Sequence, residues 1–513
     1  MTRERLRDCV LAVGAGAAMA LALPGPGLVP LVLAVPGLLR RSLEGVRGWR
    51  AFRVGWVAGF VQWLIAVAWV VIVLHRYGHV PLLLSLLGLV LMAVIMGLGW
   101  ALVGWATSLV PPGWRVWLLP LGLVAFEQIQ HLPPWIFPWN PAAAVVTSVP
   151  ALMRPAPVLG AAGLSLLLYL TGSALDAVVD RHHRSAGLAW LLVSVAAFVA
   201  ASLLAPPFRP VGPPVMTAAV QPDVPLEMRW DRDNLGAIEA RVWRLSAAAA
   251  KQGARLVVWP ESAVPRIVES DGAYRVEIER FTREYGVWLL LGSIGIGPGE
   301  GEYANSVFVA SPGGLLPWRY DKIHLVPFGE YLPGPVRWLL PHALVREVGS
   351  FTPGHNRSPL PSPAGPVGVA VCYEVAFPSL YAAEVRRGAE ILATITNDGW
   401  YGDSAAPRQH LALAILRAVE NRRWLVRAAN TGISAIIDPN GRVVSRLGVG
   451  ERGVIAAAVE PGSGVTPAAA WGGAVRASIV VFAVGAILLA VWRRSAREST
   501  SGDVAASHRG KNA

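Results

Sequence analysis

The sequence predicts a multi-pass α-helical membrane bundle plus a separate α/β domain, and three observations carry that prediction. Residues 1–205 are almost continuously apolar, and a further apolar run spans 474–492. Between them, 206–472 alternates short β-rich runs with amphipathic helical stretches. Arginines gather at the edges of the apolar segments: Arg3, Arg5 and Arg7, then Arg40, Arg41, Arg47 and Arg50, then Arg493 and Arg494.

Composition points the same way. Of 513 residues, 54% are hydrophobic and 15% charged, whereas a soluble domain carries about 25% charged residues. Mean hydropathy is +0.47. A net charge of +12 suits nucleic acid, an anionic membrane surface or an acidic substrate equally well. Its position beside apolar runs selects cytoplasmic loops next to membrane helices, and no nucleic-acid partner is expected. The two cysteines, Cys9 and Cys372, exclude a disulfide framework. The N-terminus has the arginines and apolar run of a signal peptide. No A-x-A cleavage site follows it and more apolar segments do, which predicts an uncleaved first helix.

Helices are expected near 8–23, 27–39, 54–74, 80–107, 116–130, 156–176 and 187–205. A span needs roughly 20 apolar residues, so the second and fifth are short. With 474–492 they make eight spans, placing both termini on one side. Arg3 to Arg7, the Arg40–Arg50 loop, Arg115, the Arg181/Arg184 loop and Arg493/Arg494 then share a face, while the opposite loops carry only Arg76 and Arg154. The positive-inside rule sets the termini in the cytoplasm and 206–472 outside it. Of 21 tryptophans, Trp63, Trp69, Trp100, Trp105, Trp135 and Trp139 lie near span ends. Interfacial anchoring accounts for most of them; the Trp135–Trp139 cluster is the candidate for lipid entry.

In 206–472, strands are expected at Val215–Val220, Leu256–Trp259, Trp288–Gly292, Ser306–Ala310, Val367–Val371, Ile391–Thr396 and Ile433–Ile437, with helices at 231–252, 273–285, 376–388 and 405–424. Pro206, Pro207, Pro210, Pro213 and Pro214 mark the linker into this domain, and the Gly/Pro/Ala-rich 461–473 marks the way out. The expected division is a bundle over 1–205, an extracytoplasmic catalytic domain over 206–472, a last membrane helix over 473–495 and a disordered cytoplasmic tail over 496–513.

Three motifs stand at strand ends or in turn-rich loops. Trp259-Pro260-Glu261-Ser262 puts a carboxylate just after a strand. Lys322 begins a loop that runs through Pro327, Gly329 and Glu330. Val371-Cys372-Tyr373-Glu374 ends an apolar strand with a thiol. In α/β sheets, catalytic groups gather at the carboxyl ends of strands. A thiol is a poor nucleophile until a base takes its proton or a cation stabilises the thiolate. A carboxylate can be that base, and an ammonium can hold the oxyanion of a tetrahedral intermediate. The residue types therefore assign Cys372 as nucleophile, Glu261 as general base and acid, and Lys322 as electrostatic stabiliser.

WPES, DKIHLVPFGEYLP and VCYE resemble the three catalytic blocks of the nitrilase superfamily in the form used by apolipoprotein N-acyltransferases. AAVQPDVP at 218–225, YANSVF at 303–308 and the long block from Thr396 to Arg442 extend the resemblance over nearly all of 215–460, and FPWNPA at 137–142 carries it into the apolar half. The resemblance implies a nitrilase-like αββα sandwich and a ping-pong transfer. Cys372 would take an acyl chain from a phospholipid and pass it to the α-amino group of a diacylglyceryl-cysteine on an apolipoprotein. It also implies supporting roles for Glu330 and Glu374, and substrate contacts for Trp230, Tyr373, Trp400 and Asn305. A monomer without metal or cofactor is expected, and 323–355 is a candidate lid.

Plainer readings stand beside these. A lone buried cysteine is more often an inert small hydrophobe; Cys9 keeps that reading, and Cys372 escapes it through its company. Glu261 alone would serve as a turn cap, and Lys322 as a solvated loop residue. His324 and His410 invite a metal or Cys–His reading, but no second ligand lies at helical spacing from His410, so both are expected to be structural. The rival functions are a membrane-tethered amidase using the same triad with water as acceptor, and a non-catalytic lipid- or lipoprotein-binding protein, which has no need of the thiol.

Overall fold

The computed structural model describes residues 3–132, 137–229, 231–299, 301–332 and 351–509, with side chains for all of these except Arg232 and those after Trp492. Trp135, Trp230 and most of the expected lid, 333–350, lie outside the described residues.

The apolar half folds as helices: α1 (Arg3–Ala22), α2 (Leu31–Ser42), α3 (Gly48–Ala66), α4 (Val70–Ile72, running into a π turn at Val73–Tyr77), α5 (Leu82–Leu109), α6 (Arg115–Ile129), α7 (Ala156–Val179) and α8 (Arg184–Leu204). Among the described residues, α5, α7, α8 and the stretch Pro467–Trp492 of the last helix are long and apolar enough to cross a bilayer. The pair formed by α3 and Val70–Tyr77, bent by 57°, makes a fifth. At 12 and 15 residues, α2 and α6 reach only about 18 and 22 Å at 1.5 Å per residue, against a hydrocarbon core of about 30 Å. Length and hydropathy alone thus support fewer than the eight expected spans. Close backbone approach holds α3 to α5: a Cβ on Gly55 would lie 2.4 Å from the Trp100 carbonyl, so only glycine permits the contact.

The expected helix 54–74 is broken after Ala66, and the break has a cause. Gln409, far along the chain, donates Nε2 to the freed Ala66 carbonyl (3.0 Å) and accepts from the Trp69 indole (3.1 Å). A side chain inserted into the helical ladder is one of the few reasons for a sharp kink.

The second half is built on two sheets. Strands β1 (Val215–Gln221), β2 (Leu256–Val258), β3 (Trp288–Ile296), β4 (Tyr303–Ser311), β5 (Gly314–Asp321) and β11 (Gly453–Val459) form one, in the order β11-β1-β2-β3-β4-β5. Strands β6 (Val367–Val371), β7 (Ile391–Thr396), β8 (Leu425–Ala429), β9 (Ser434–Ile437) and β10 (Val443–Leu447) form the other, in the order β10-β9-β8-β7-β6. The pairs β1–β2–β3 and β6–β7–β8 are parallel, so their carboxyl ends share an edge.

Alternation along the strands dictates the layers. Ala219, Val258 and Leu290 pack with Val369, Val371 and Ala428 between the sheets. Their neighbours Ala218, Val220, Val257, Leu289 and Leu291 face outward onto Val242, Ile278 and Phe281 of α10 (Leu235–Lys251) and α11 (Gly272–Tyr285), which follow the single turn α9 (Leu226–Arg229). On the far side, α12 (Pro378–Arg386) and α13 (Ala406–Asn421) cover the second sheet. The result is the αββα sandwich that the resemblance implies.

Both halves share one core. Trp63, Trp69, Met96, Trp139 and Leu164 from the apolar half cluster with Tyr373, Tyr381, Leu411 and Ile415. Trp139 is 1% exposed, and its indole donates to Gln409 at 2.8 Å. The last helix, α14, runs Pro467–Arg509, past residue 496 where a disordered tail is expected. No glycine or proline stands between Gly485 and Gly502 to end it.

Candidate active site

Four strands deliver the site. Glu261 follows β2 by three residues, Lys322 follows β5 directly, Cys372 follows β6 directly, and Asn305 sits near the start of β4, which runs antiparallel to β3. Glu261, Lys322 and Cys372 are 9%, 1% and 7% exposed, so three ionisable groups meet out of water.

Carboxylates surround the lysine. Lys322 Nζ lies 2.8 Å from Glu330 Oε1 and 3.8 Å from Glu261 Oε1. Asn305 bridges the two acids, donating Nδ2 to Glu261 Oε1 (2.6 Å) and to Glu330 Oε1 (3.0 Å). The second oxygen of Glu261 takes the Asn397 amide at 2.9 Å, and that of Glu330 takes the Val326 amide at 2.8 Å. Behind Glu261, Arg229 donates to its main-chain carbonyl at 2.7 Å and also to that of Ser262. Burial alone would strip the charge from Lys322. Glu330 first, then Glu261 and Cys372, reverse this and raise its pKa above the ordinary lysine value, so an ammonium is fixed in the site.

The thiol is treated oppositely. Burial and the nearby Glu261 carboxylate push Cys372 up to about 12, against the pull of Lys322. At neutral pH the resting sulfur is protonated, and a nucleophilic role needs a base within reach. The backbone at Cys372 has φ 53°, a left-handed conformation for a residue with a Cβ, which costs about 1–2 kcal/mol. Glu374 helps to hold this turn: it accepts from the Val371 amide (2.8 Å), the Ile323 amide (2.7 Å), the His324 amide (3.0 Å) and the Tyr320 hydroxyl (2.8 Å). One fully buried carboxylate thus ties the loop carrying Lys322 to the turn carrying Cys372. Burial pushes Glu374 up to about 7, opposed by those amides.

Of the expected substrate contacts, Asn305 spends its amide hydrogens on Glu261 and Glu330 and leaves Oδ1 without a partner among the described residues. Tyr373 is 2% exposed and stacks on Phe137 at 5.7 Å. Trp400 is 43% exposed, edge-on to Tyr77 at 6.0 Å. His324 stacks on Phe377 at 4.1 Å, as suits a structural residue. His410 is different: its ring contacts the Cys372 carbonyl and Asp398. Sequence reasoning also passed over Arg229, Asn397, Asp398 and Gln409. Asn397 and Asp398 had a signal, since they follow β7 at the same sheet edge as Cys372. Among the described residues, no group of three His, Cys, Asp or Glu is arranged to hold a metal ion.

Comparison with known proteins agrees with this architecture. Residues 217–465 match the family described as carbon-nitrogen hydrolase. Residues 15–174 match the apolipoprotein N-acyltransferase N-terminal domain. The apolipoprotein N-acyltransferase of Geobacter metallireducens is 34% identical over 89% of this chain and 90% of its own. That of Azotobacter vinelandii is 32% identical over 99% of both chains, and that of Pseudomonas syringae pv. tomato 31% identical over 92% and 94%. With both halves matched and relatives aligned over about nine tenths or more of their length, the chain belongs to the apolipoprotein N-acyltransferase family.

Proposed function

We propose that this protein transfers a fatty acyl chain from a phospholipid to the α-amino group of a lipoprotein's N-terminal diacylglyceryl-cysteine, through a thioester on Cys372. The observation that carries the reading is the buried meeting of Glu261, Lys322 and Cys372, bridged by Asn305 and Glu330, in a domain packed on apolar helices.

Glu261 takes the thiol proton as sulfur attacks the ester carbonyl of the phospholipid. The carbonyl oxygen becomes an oxyanion beside the Lys322 ammonium. Collapse breaks the ester C–O bond, and Glu261 returns its proton to the departing lysophospholipid oxygen. In the second half, the lipoprotein amine attacks the thioester carbonyl. A C–N bond forms, the C–S bond breaks, Glu261 relieves the nitrogen of its proton, and the sulfur ends as a thiol. Glu330 holds the Lys322 ammonium and Asn305 orients Glu261, while Glu374 fixes the turn. Trp230, Tyr373 and Trp400 are proposed to flank the acyl chain.

Eight spans with cytoplasmic termini would hold this domain outside the inner membrane. Both substrates carry acyl chains, and drawing one into water costs about 0.8 kcal/mol per CH₂. A site seated at the bilayer avoids that cost. The test supplies protein in vesicles with acyl-labelled phospholipid and a diacylglyceryl-cysteine peptide. Label appearing in amide linkage on the peptide, and only with Cys372 present, supports the reading. Label released as free fatty acid, with none on the peptide, would replace it with a hydrolase.

A further inference from the structure

A polar cavity apart from the three catalytic groups has no place in that scheme. It lies where α6, α7 and the start of α14 meet α12 and α13 of the second half. Gln128, His131, Arg417, Glu420, Asn421 and Arg476 form its polar wall, and none of Glu261, Lys322 and Cys372 lines it. Glu420 is already engaged on one side: its Oε1 accepts the Ala161 amide at 2.6 Å, where Gly160 (φ 66°) breaks α7.

Arg417 is the anomaly. It is 1% exposed, yet its Nε and Nη1 have no hydrogen-bond partner among the described residues. Nε lies 3.2 Å from Glu420 Oε2, an ion contact without the alignment of a hydrogen bond. A guanidinium carries five N–H donors in a fixed fork, and leaving them unmet away from water is costly. Burial works against the charge of Arg417, with Glu420 opposing. Arg476 faces the same space and repels Arg417 as a like charge. Burial, Arg476 and Arg417 push the His131 pKa down to about 3, so that ring is neutral. Two guanidiniums against one carboxylate leave one positive charge over in the cavity.

We propose that this cavity is a second binding site, for a phosphate group gripped by Arg417 and Arg476. A pair of phosphate oxygens matches the guanidinium fork, and the single negative charge of a phosphodiester balances the charge left over. A phospholipid headgroup and inorganic phosphate share that chemistry, and the surroundings favour the lipid. Gly472 of α14 lines the cavity, and its neighbour Trp471 is 68% exposed. The stretch Pro467–Trp492 is long and apolar enough to cross a bilayer. Exposed tryptophans at the ends of such helices sit at headgroup depth, which sets the cavity level with lipid phosphates. A lipid held there joins α13 to α14 and fastens the second half to the membrane. The inference uses no property of Cys372, so it stands or falls apart from the acyl transfer.

The test takes full-length protein, stripped of lipid in a neutral detergent, and offers it a dialkyl ether phosphatidylglycerol, which has no acyl ester to transfer. Native mass spectrometry counts the lipids kept. Arg417→Gln and Arg476→Gln are each expected to keep one fewer than wild type at the lowest concentration that fills wild type, through a loss of affinity of at least about tenfold. Arg476 is only partly buried, so its variant decides the matter if Arg417→Gln does not fold. Equal counts on wild type and variants would overturn the proposal, as would equal retention of the matching dialkylglycerol, which lacks the phosphate. Inorganic phosphate without lipid is the second arm, since a ligand that binds only the native state raises Tm. A rise in wild type that Arg476→Gln lacks, with lipid counts equal, would assign the site to the free ion and overturn the lipid. No response in either arm would leave the cavity to water and overturn the site.

Discussion

Gly292→Ala adds one methyl group beside Glu261 and tests whether the placement of that carboxylate limits the rate. Gly292 lies in β3, where a Cβ would sit 2.6 Å from the Pro260 carbonyl oxygen, 2.8 Å from Ile395 Cδ1 and 2.9 Å from Glu261 Cα. Two of these three are main-chain atoms and have no rotamer to change. To bring 2.6 Å to the 3.4 Å of ordinary van der Waals contact, the loop must yield by about 0.8 Å. It is held from several sides: by the Trp259 amide on Leu290 (2.9 Å), by Arg229 on the Glu261 carbonyl (2.7 Å) and by the Asn305 and Asn397 contacts to the carboxylate. Overpacking of this kind costs about 1–3 kcal/mol of stability, which a core of this size survives. A misplacement of about 1 Å costs on the order of 10²-fold in rate. We therefore expect acyl-enzyme formation, followed in single turnover with labelled phospholipid, to slow by about 10- to 100-fold. Gly313→Ala is the control, since the nearest atom to its Cβ is Ser311 Oγ at 3.5 Å. A Gly292→Ala protein that unfolds like wild type and acylates within about twofold of it would refute the claim that Glu261 must be held where it stands.

Three further outcomes follow from the same geometry. Lys322→Met removes the largest influence that opposes burial and Glu261 in raising the Cys372 pKa, so iodoacetamide should alkylate the thiol more slowly than wild type at every pH below the plateau; an unchanged rate would separate Lys322 from the sulfur. Asn305→Leu removes the donor shared by Glu261 and Glu330, and hydrogen bonds to charged groups contribute about 1.5–3 kcal/mol each. Its kcat should fall by at least about tenfold, and a normal kcat would show that the bridge is dispensable. Gln409→Leu cuts the links to Trp69, Trp139 and the Ala66 carbonyl; thermal unfolding should begin earlier, by the equivalent of about 2–4 kcal/mol, and an unchanged profile would mean that the broken helix is held by packing alone.

Local pattern reached Glu261 and Cys372 because each lies just beyond a strand that alternation or an apolar run reveals; Lys322 was reached through its turn-rich loop, since β5 before it is hidden. Glu261, Lys322 and Cys372 come together because β2, β5 and β6 end at the same side of two sheets packed face to face. Other strands hid for physical reasons. Pro317 disguises β5, and proline is tolerated there because β5 is the sheet's edge. In β8, the wholly buried Arg427 reads as a polar interruption until Asp398 is seen to pair with it. In β11, Ala456, Ala457 and Ala458 interrupt the branched residues Val454, Ile455 and Val459 that would mark a strand.

Long-range contacts left no trace in local pattern. The break after Ala66 depends on Gln409, and the placement of His410 on Asp398 and on a carbonyl. Hydrophobic runs predicted helices where helices stand, but the run alone does not measure a span. The short α2 and α6 and the bent α3 show as much.

The central claim, an acyl chain carried on Cys372, is tested most directly by intact-mass analysis of the purified protein after incubation with a phospholipid of one defined acyl chain, wild type beside Cys372→Ala. The account predicts a mass increase of one acyl group on wild type, none on the variant, and its discharge on adding a diacylglyceryl-cysteine peptide that gains the same mass. An adduct of the same size on Cys372→Ala, or a peptide acylated at full rate by that variant, would contradict it.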